Sequence, residues 1–347
     1  MKVLGIETSC DETAVAVVED GRRILCNFVA SQEKYHRKFY GIVPEIASRK
    51  HVEVINILLQ KALRKVEDVD AVAVTIGPGL VGSLFVGAIV GETLTCIKRK
   101  PFIPVNHLEG HIFANFLVWP EEELLPPFVA LVVSGGHTEL VFAEKFCSYR
   151  VLGRTRDDAC GEVLDKIAKF LDLGYPGGPI IDKLLRSSSV VNGDSDNIFL
   201  PYPFPSRKSY DFSFSGIKTA VIYYVERNYI RVGGGSKFNI PKRELIKLLY
   251  TLQRNVMKVL VDKTVMSARE LRVKKILLGG GVSANSFLRR MMLEEASKEG
   301  IKVYYPPAEL CTDNAAMVAS CGYYRIKYTR EKYSYLFEGK VSPELEL

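Results

Sequence analysis

Short apolar runs separated by polar turns open the chain. KVLGIE and TAVAVVE, residues 2–7 and 13–19, are rich in Val and Ile, and the Asp20-Gly21 pair marks the next reversal. This pattern predicts three consecutive β-strands. It returns at residues 128–153, where FVALVV and TELVFAE flank a Ser-Gly-Gly-His turn and SYRVLG follows. The hydrophobic pattern therefore predicts two related three-stranded units, each with a turn of small residues.

Each unit is followed by a strand that leads into a helix. Residues 70–98, DAVAVTIGPGLVGSLFVGAIVGETLTCIK, predict a buried strand and an apolar helix. Residues 274–300, KKILLGGGVSANSFLRRMMLEEASKEG, predict the second such unit, and KVYYPPAE follows it. We therefore expect an α/β protein made of two βββαβα lobes around a central cleft. Turns at the strand ends would point into this cleft, where open α/β sheets bind ligands.

Composition adds little to this picture. The chain has 347 residues, of which 47% are hydrophobic and 25% charged, as in ordinary globular proteins. The pattern predicts neither a signal peptide nor a membrane helix. Seven scattered cysteines without a CxxC pair indicate free thiols and a cytoplasmic protein. The formal charge of +7 is compatible with an anionic partner such as RNA, but many enzymes share it.

The stretch VNHLEGHIF contains the first candidate metal ligands. His107 and His111 lie four residues apart, so a helix places both imidazoles on one face. In the zinc-protease signature HExxH the glutamate follows the first histidine directly, whereas Glu109 is displaced by one position. On a helix it points about 100° further round, so a metal site is possible without protease chemistry.

A third ligand must come from elsewhere in the chain. Asp313 in CTDNAAM opens an apolar helix, where an acid is usually either a cap or a ligand. Two histidines and one carboxylate suit Fe(II) or Zn. The alternative, that both histidines are structural, stays open at this point.

Two glycine-rich turns follow predicted strands. In VVSGGHT (132–138) and LLGGGVSAN (277–285), glycines let backbone amides approach phosphate or carbonyl oxygens. Alternatively, Ser283 or Asn285 simply caps the next helix. GPGLVG (77–82) matches GxGxxG, but no ribose-binding acid follows about twenty residues on, so close packing is favoured over a nicotinamide site.

Four acids are further candidates. Asp11 and Glu12 lie in the turn between the first two strands, which corresponds to SGGHT in the second unit, so both turns should face one cleft. Asp165 lies on an amphipathic helix, and Asp182 lies on the helix after the YPGGP turn. The alternative for these acids is an ordinary solvated surface.

Taken together and in order, ten motifs resemble those of the TsaD family over about Met1 to Ala319, which is nearly the whole chain. They are GIETSCDET, GIVPEIASRKH, GPGLVGSLFVG, HLEGH, VVSGGHT, GEVLDK, YPGGP, DFSFSGIKT, GGGVSAN and CTDNAAM. The resemblance implies the duplicated fold of actin, Hsp70 and sugar kinases. We expect residues 1–120 with 308–330 to form the first lobe, 126–307 the second, and 331–347 a C-terminal tail.

The resemblance also implies an activity. Members transfer a threonylcarbamoyl group from threonylcarbamoyl-AMP to the exocyclic amine of the adenosine 3′ of the anticodon in tRNAs that read ANN codons, and AMP leaves. It implies that His107, His111 and Asp313 hold one divalent metal, Fe(II) or Zn. The implied substrate contacts are Val132, Val133, Ser134, Gly135, Gly136, Asp165, Gly178, Asp182 and Asn285. Partners implied in the same way are a TsaB-like subunit, bound through the N-terminal half, and a TsaE-like ATPase.

Other roles are hypotheses drawn from the chemistry. An adenine amine loses a proton when it attacks, so Asp11 or Glu12 is a candidate base. RNA is expected at RKSYDFSFSGIKT, with cations Arg207, Lys208 and Lys218 and aromatic residues Tyr210 and Phe212, unless these aromatic side chains belong to the core. The alternative functions are a metalloprotease and an ATPase-like scaffold on the same fold.

Overall fold

Two five-stranded sheets form the framework of the protein. The computed structural model describes residues 1–188, 198–202, 209–231, 238–337 and 339–347. The strands are β1 (Lys2–Glu7), β2 (Glu12–Glu19), β3 (Arg23–Ser31), β4 (Ala71–Gly77), β5 (Phe102–Asn106), β6 (Phe128–Val133), β7 (Thr138–Lys145), β8 (Ser148–Arg154), β9 (Lys275–Gly279) and β10 (Lys302–Tyr304).

The two sheets have the same topology. Their strand orders are β3-β2-β1-β4-β5 and β8-β7-β6-β9-β10. In each, the first three strands along the chain pair antiparallel, the fourth pairs in parallel with the first, and the fifth pairs in parallel with the fourth. The duplication predicted from the repeated hydrophobic pattern is therefore confirmed.

Helices cover these sheets. They are α1 (Glu33–His36), α2 (Pro44–Lys65), α3 (Val81–Lys98), α4 (His107–Phe113), α5 (Glu121–Leu124), α6 (Cys160–Phe170), α7 (Gly177–Arg186), α8 (Ser215–Asn228), α9 (Lys242–Glu270), α10 (Ser286–Lys298), α11 (Ala308–Cys311) and α12 (Ala315–Tyr328). Short 3-10 turns follow α1, α4 and β9.

Burial on both faces explains the continuous apolar run of β1. Side chains alternate across a strand, so Val3 packs in the core that contains α12, whereas Leu4 and Ile6 pack in the core beneath α2. Gly5 lies under α12, where an added Cβ would approach the Ala315 carbonyl oxygen to 2.2 Å. This glycine lets α12, and the turn before it, lie close to the first sheet.

The two lobes meet along one side through aromatic contacts. Phe146, in the β7–β8 turn, stacks on Tyr328 of α12 with ring centroids 4.0 Å apart. The Nε1 of Trp119 donates a hydrogen bond to the Tyr305 carbonyl of the second lobe at 3.1 Å. The division at residues 120, 126, 308 and 330 stays a prediction.

Helix α3 is apolar enough to raise the question of a membrane span. Val81–Lys98 has 18 residues with a mean hydropathy of 1.4, which by length and composition alone would allow it to cross a membrane. Core helices of proteins without a membrane span pass the same test, so one such helix is weak evidence of a membrane span. An added Cβ at Gly91 would meet Val74 of β4 at 2.4 Å, so part of this apolar surface packs tightly against the first sheet.

The glycines of the GxGxxG match allow close packing, as the sequence favoured. The segments that pack against them were not predicted. A Cβ at Gly77 would lie 2.0 Å from the Ser342 carbonyl oxygen, and one at Gly79 would lie 2.5 Å from that of Ser9. The turn after β4 is thus covered by the C-terminal tail and by the β1–β2 turn.

The C-terminal tail, residues 331–347, closes along the ends of β4 and β5. The Ser342 amide donates to the Ile76 carbonyl at 2.8 Å. Asn106 donates through Nδ2 to the Glu346 carbonyl at 3.1 Å. The Glu346 carboxylate then pairs with Arg154 of β8 at 2.5 Å, so the tail connects the first lobe to the second.

Candidate metal centre and adjoining cleft

Three candidate metal ligands meet where α4 and α12 begin. The donor atoms of His107, His111 and Asp313 all lie within 4.8 Å of one another. Asp313 Oδ1 is 3.6 Å from His107 Nε2 and 3.2 Å from His111 Nε2. Asn314, not Asp313, caps α12 by accepting from the Met317 amide at 3.0 Å, so the aspartate carboxylate is available as a ligand.

The residues present fit a cation. His111 is fully buried, and within the described ranges neither of its ring nitrogens makes a well-aligned hydrogen bond, although Asp313 Oδ1 lies 3.2 Å from Nε2. A buried polar nitrogen without a partner is costly, and a metal ion would satisfy Nε2. Two imidazoles and one carboxylate are a donor set that suits Fe(II) or Zn.

Glu7 orients the first ligand, and sequence reasoning missed this residue. Its carboxylate lies 3.1 Å from His107 Nδ1 and accepts from Thr75 Oγ1 at 2.7 Å. This contact directs His107 Nε2 towards Asp313. Burial lowers the pKa of His107, but Asp313 and Glu7 outweigh it and raise the pKa to about 9. The pocket therefore favours positive charge.

Glu109 points away from the candidate metal site. It is 1% exposed, and its carboxylate accepts from Arg325 Nη1 at 2.7 Å. The one-residue displacement of this glutamate from its position in HExxH therefore places its carboxylate against Arg325. A protease general base is not provided by this residue.

The Ser-Gly-Gly turn after β6 has open space beside its glycines. The Ser134 amide donates to the His137 carbonyl at 2.8 Å, which closes the turn. Gly135 and Gly136 are exposed, and a Cβ added to either would meet nothing within 4 Å. Gly161, near the start of α6, would clash with the Ser134 carbonyl at 2.6 Å if it carried a Cβ. The turn therefore lies against a helix N-terminus, where anions bind favourably.

Val132 and Val133 can offer only their backbone to a ligand. Both side chains are 0% exposed and pack in the cores on opposite faces of the second sheet. His137, for which the sequence indicated no role, lies near the candidate metal ligands. Burial, and then His107 and His111, lower the pKa of His137 to about 4, so it is neutral at physiological pH.

Asp165 joins α6 to α7. Its carboxylate accepts from the Gly177 amide at 2.7 Å. Burial raises the pKa of Asp165 to about 6, although the Gly177 and Gly178 amides lower it. A Cβ at Gly177 would meet the Leu164 carbonyl oxygen at 2.5 Å, so this glycine permits the close approach of the two helices.

Asp182 and Asn285 extend the same wall towards α10. Asp182 accepts from Ser286 Oγ at 2.9 Å. Asn285 Oδ1 caps α10, accepting from the Phe287 and Leu288 amides at 3.0 Å each. The capping alternative is therefore correct for the oxygen of Asn285, which leaves its Nδ2 as the donor group.

Asp11 and Glu12 lie on the first-lobe side of the cleft. Burial raises the pKa of both carboxyl groups, and the charge of Asp313 adds to this effect. Glu12 accepts from Ser31 Oγ at 3.0 Å, and the charge of Asp11 makes a small contribution to the raised pKa of Asp165 on α6. That the β1–β2 turn and the Ser-Gly-Gly-His turn face one cleft stays a prediction.

The segment expected to bind RNA has a buried aromatic ring and a lysine that is already paired. Phe212 is 0% exposed and lies parallel to Phe214, and the Tyr210 hydroxyl donates to Glu270. Lys218 forms an ion pair with Asp158. Arg207 and Lys208 lie outside the described residues. The core interpretation is therefore correct for Phe212.

Comparison with known proteins agrees with this arrangement. The family model described as "TsaD: tRNA N6-adenosine threonylcarbamoyltransferase" matches residues 23–320. A protein of that name from Caldicellulosiruptor bescii is 48% identical over 331 residues, 94% of each chain. Another, from Symbiobacterium thermophilum, is 50% identical over 326 residues, 93% of this chain and 91% of its own.

Solved structures show the same fold at low identity. HypF in a phosphate- and nucleotide-bound form gives a TM-score of 0.58 at 14% identity, covering 94% of this chain and 46% of HypF. The ROK hexokinase of Thermus thermophilus gives 0.50 at 16% identity, covering 94% and 99%. The actin- and sugar-kinase-like architecture is thereby confirmed. By its sequence match over most of its length, the chain belongs to the TsaD family of tRNA N6-adenosine threonylcarbamoyltransferases.

Proposed function

We propose that the cleft transfers a threonylcarbamoyl group from threonylcarbamoyl-AMP to the exocyclic amine of the adenosine 3′ of the anticodon, in tRNAs that read ANN codons, with AMP as the leaving group. One observation carries this proposal. A buried cluster of two histidines and an aspartate lies beside an open Ser-Gly-Gly turn in a chain of this family. The first can hold a cation, and the second can bind phosphate or acyl oxygens.

The donor would lie along the second lobe. The amides of Gly135 and Gly136 would donate to the anhydride oxygens, and Gly178, Asp182 and Asn285 would hold the nucleotide. His107, His111 and Asp313 would hold one divalent ion, Fe(II) or Zn. When bound, such an ion polarises the phosphate or carbonyl oxygens and offsets charge that develops during attack. The fixed amides stabilise the same charge without rearranging.

Asp11 or Glu12 would take the proton that the attacking amine loses. Both have pKa values raised by burial, which makes either carboxylate a stronger base. Asp11→Asn and Glu12→Gln should lose transfer by about 10²- to 10⁴-fold and retain AMP binding. Full transfer by both variants would remove this assignment.

The direct test combines purified protein, threonylcarbamoyl-AMP and unmodified tRNA. The expected result is a nucleoside whose mass increases by the threonylcarbamoyl group, with one AMP released per modification. Cleavage of a polypeptide that chelation abolishes would favour the protease instead. ATP turnover without any change in tRNA would favour the scaffold.

The partners and the compartment belong to the same proposal. Apolar side chains on α2 and α3 are exposed, among them Ile57 at 54%, Phe85 at 49% and Ile89 at 60%. Such a face supports binding of a TsaB-like subunit through the N-terminal half, with a TsaE-like ATPase in the assembly. Ile89→Asp should then abolish co-purification with the TsaB-like subunit, and unaltered co-purification would exclude this surface. Seven free cysteines support a cytoplasmic location.

A further inference from the structure

Residues 33–40, EKYHRKFY, form a basic and aromatic segment at the surface of the first lobe. Tyr35 is 37% exposed and Phe39 is 44% exposed. Lys34, Arg37 and Lys38, interleaved with these rings, are exposed as well. Exposed aromatic rings next to cations are the usual platform for unpaired bases and the phosphates between them.

Two of these cations are not neutralised by carboxylates. Lys34 Nζ lies 4.9 Å from the Tyr35 ring centroid, and Lys38 Nζ lies 4.9 Å from that of Phe39. In the described part of the chain, neither lysine forms an ion pair with an acid. Arg37 pairs with Glu33 at 2.6 Å on the surface, where such a pair is weak.

A buried histidine fixes the shape of the segment. The Val43 amide donates to His36 Nδ1 at 3.3 Å, so the ring proton lies on Nε2, which bonds Gln32 Oε1 at 3.2 Å. Gln32 in turn donates to the Ala47 carbonyl at 3.3 Å. The segment is therefore held in one arrangement before any ligand binds, which reduces the entropy cost of binding.

Its position is at the mouth of the cleft. The Gln32 amide donates to the Asp11 carbonyl at 3.0 Å, which ties the segment to the turn of the candidate base. At its other end, the Tyr40 hydroxyl donates to Asp172 of the second lobe at 3.2 Å. The segment therefore runs from the turn of the candidate base to the second lobe.

We propose that residues 33–40 bind the anticodon loop of the acceptor tRNA, a contact not expected from the sequence. Tyr35 and Phe39 stack on unpaired bases, and Lys34, Arg37 and Lys38 contact phosphates. This inference rests on the proposed function. The other basic and aromatic candidate, around Phe212, has that ring in the core and its Lys218 already paired.

The test measures tRNA binding by the full chain at several salt concentrations. Lys34→Ala with Lys38→Ala should reduce the slope of log affinity against log salt by about 1.4, since each single-strand phosphate contact contributes about 0.7. Phe39→Ala should weaken tRNA binding about 5- to 150-fold, the range for one base stack. Both variants should raise KM for tRNA and leave the affinity for AMP unchanged.

Matched controls separate a local effect from loss of charge or aromatic surface in general. Lys61→Ala removes an exposed lysine of α2 that lies about 25 Å along the helix axis from its first residue, Pro44. Tyr223→Ala removes a ring that is 67% exposed on α8. Both should bind tRNA as the wild type does.

The inference is overturned if the segment variants keep wild-type tRNA affinity and salt slope. Lost modification with unaltered tRNA binding would also overturn it. If the wild-type chain modifies no tRNA, the proposed function fails, while the binding measurements still decide the role of the segment.

Discussion

Adjacent polar residues at the candidate metal centre have separate tasks. Asn314 caps α12, and this leaves Asp313 to face the two histidines. Similarly, Glu7 and Glu109 are both fully buried acids, yet one contacts His107 and the other Arg325. These partners decide what each carboxylate does.

Glu7→Gln should lower metal affinity by about 10- to 100-fold, because a neutral amide holds the His107 imidazole less well as a ligand. Glu109→Gln is the matched control. It should leave metal affinity unchanged but lower the free energy of unfolding by about 3 kcal/mol, since Arg325 loses its buried partner and keeps only its longer pair with the exposed Glu331. Chelator competition and denaturant unfolding measure the two effects. Equal metal affinity in both variants would contradict the role of Glu7.

Asp165 should make the stability fall as the pH rises. Its folded pKa of about 6 lies above the ordinary value of 3.8, so the folded state holds the proton more tightly. The resulting stabilisation is complete below the ordinary pKa and is lost as the pH rises through 6. Asp165→Asn should remove this component, up to about 1.4 kcal/mol per pH unit between those values. If the free energy of unfolding changes with pH equally in both proteins across this range, the assignment is refuted.

The cluster of candidate metal ligands was predictable at this scale, but the residues that support it were not. The spacing of His107 and His111 specifies a shared helical face, and CTDNAAM marks a helix start. Glu7, in contrast, ends an apolar strand, and its function depends on Thr75, brought beside it by the pairing of β1 and β4. No local pattern contains that information.

At the scale of elements, burial decides what the sequence reveals. The central strands are covered on both faces, so KVLGIE and FVALVV are continuous apolar runs, and β1 and β6 begin and end where predicted. The C-terminal tail forms no helix or strand in its described residues, and its path depends on distant contacts at Ile76 and Asn106. Periodicity therefore could not place it.

The packing of α12 on β1 gives a test at this scale. Gly5→Ala would place a Cβ 2.2 Å from the Ala315 carbonyl oxygen, so the helix must move, and Asp313 with it. We expect a loss of about 1 to 3 kcal/mol in unfolding free energy, together with weaker metal binding. Gly135→Ala, at a site with open space, should keep both. Thermal unfolding and metal titration compare them, and a stable Gly5→Ala protein with normal metal affinity would show that α12 is not held there.

For the molecule as a whole, the two lobes are tied on either side of the cleft. Tyr40 contacts Asp172 on one side, and Glu346 pairs with Arg154 on the other. Phe146 and Tyr328 add the aromatic contact. Opening of the cleft must break the Tyr40–Asp172 hydrogen bond, which is partly buried, and the Glu346–Arg154 ion pair, which is exposed.

Deletion of residues 342–347 should therefore loosen the cleft without unfolding either lobe. The Gly79 amide loses its acceptor, the Pro343 carbonyl, and Arg154 loses its carboxylate partner. We expect faster hydrogen exchange in the turn after β4, while both lobes stay folded, because the lost ion pair lies at the surface, where such pairs contribute little. Exchange measured by mass spectrometry checks this. Unchanged protection of that turn would show that the tail does not hold it.

The contact of Trp119 with Tyr305 has a practical consequence. The chain contains a single tryptophan, and this residue belongs to the boundary between the lobes, with its indole 5.4 Å from the Tyr304 ring. Intrinsic fluorescence excited at the indole band therefore comes from one known position. Stopped-flow recording of that signal would follow domain motion during each catalytic cycle in unlabelled protein.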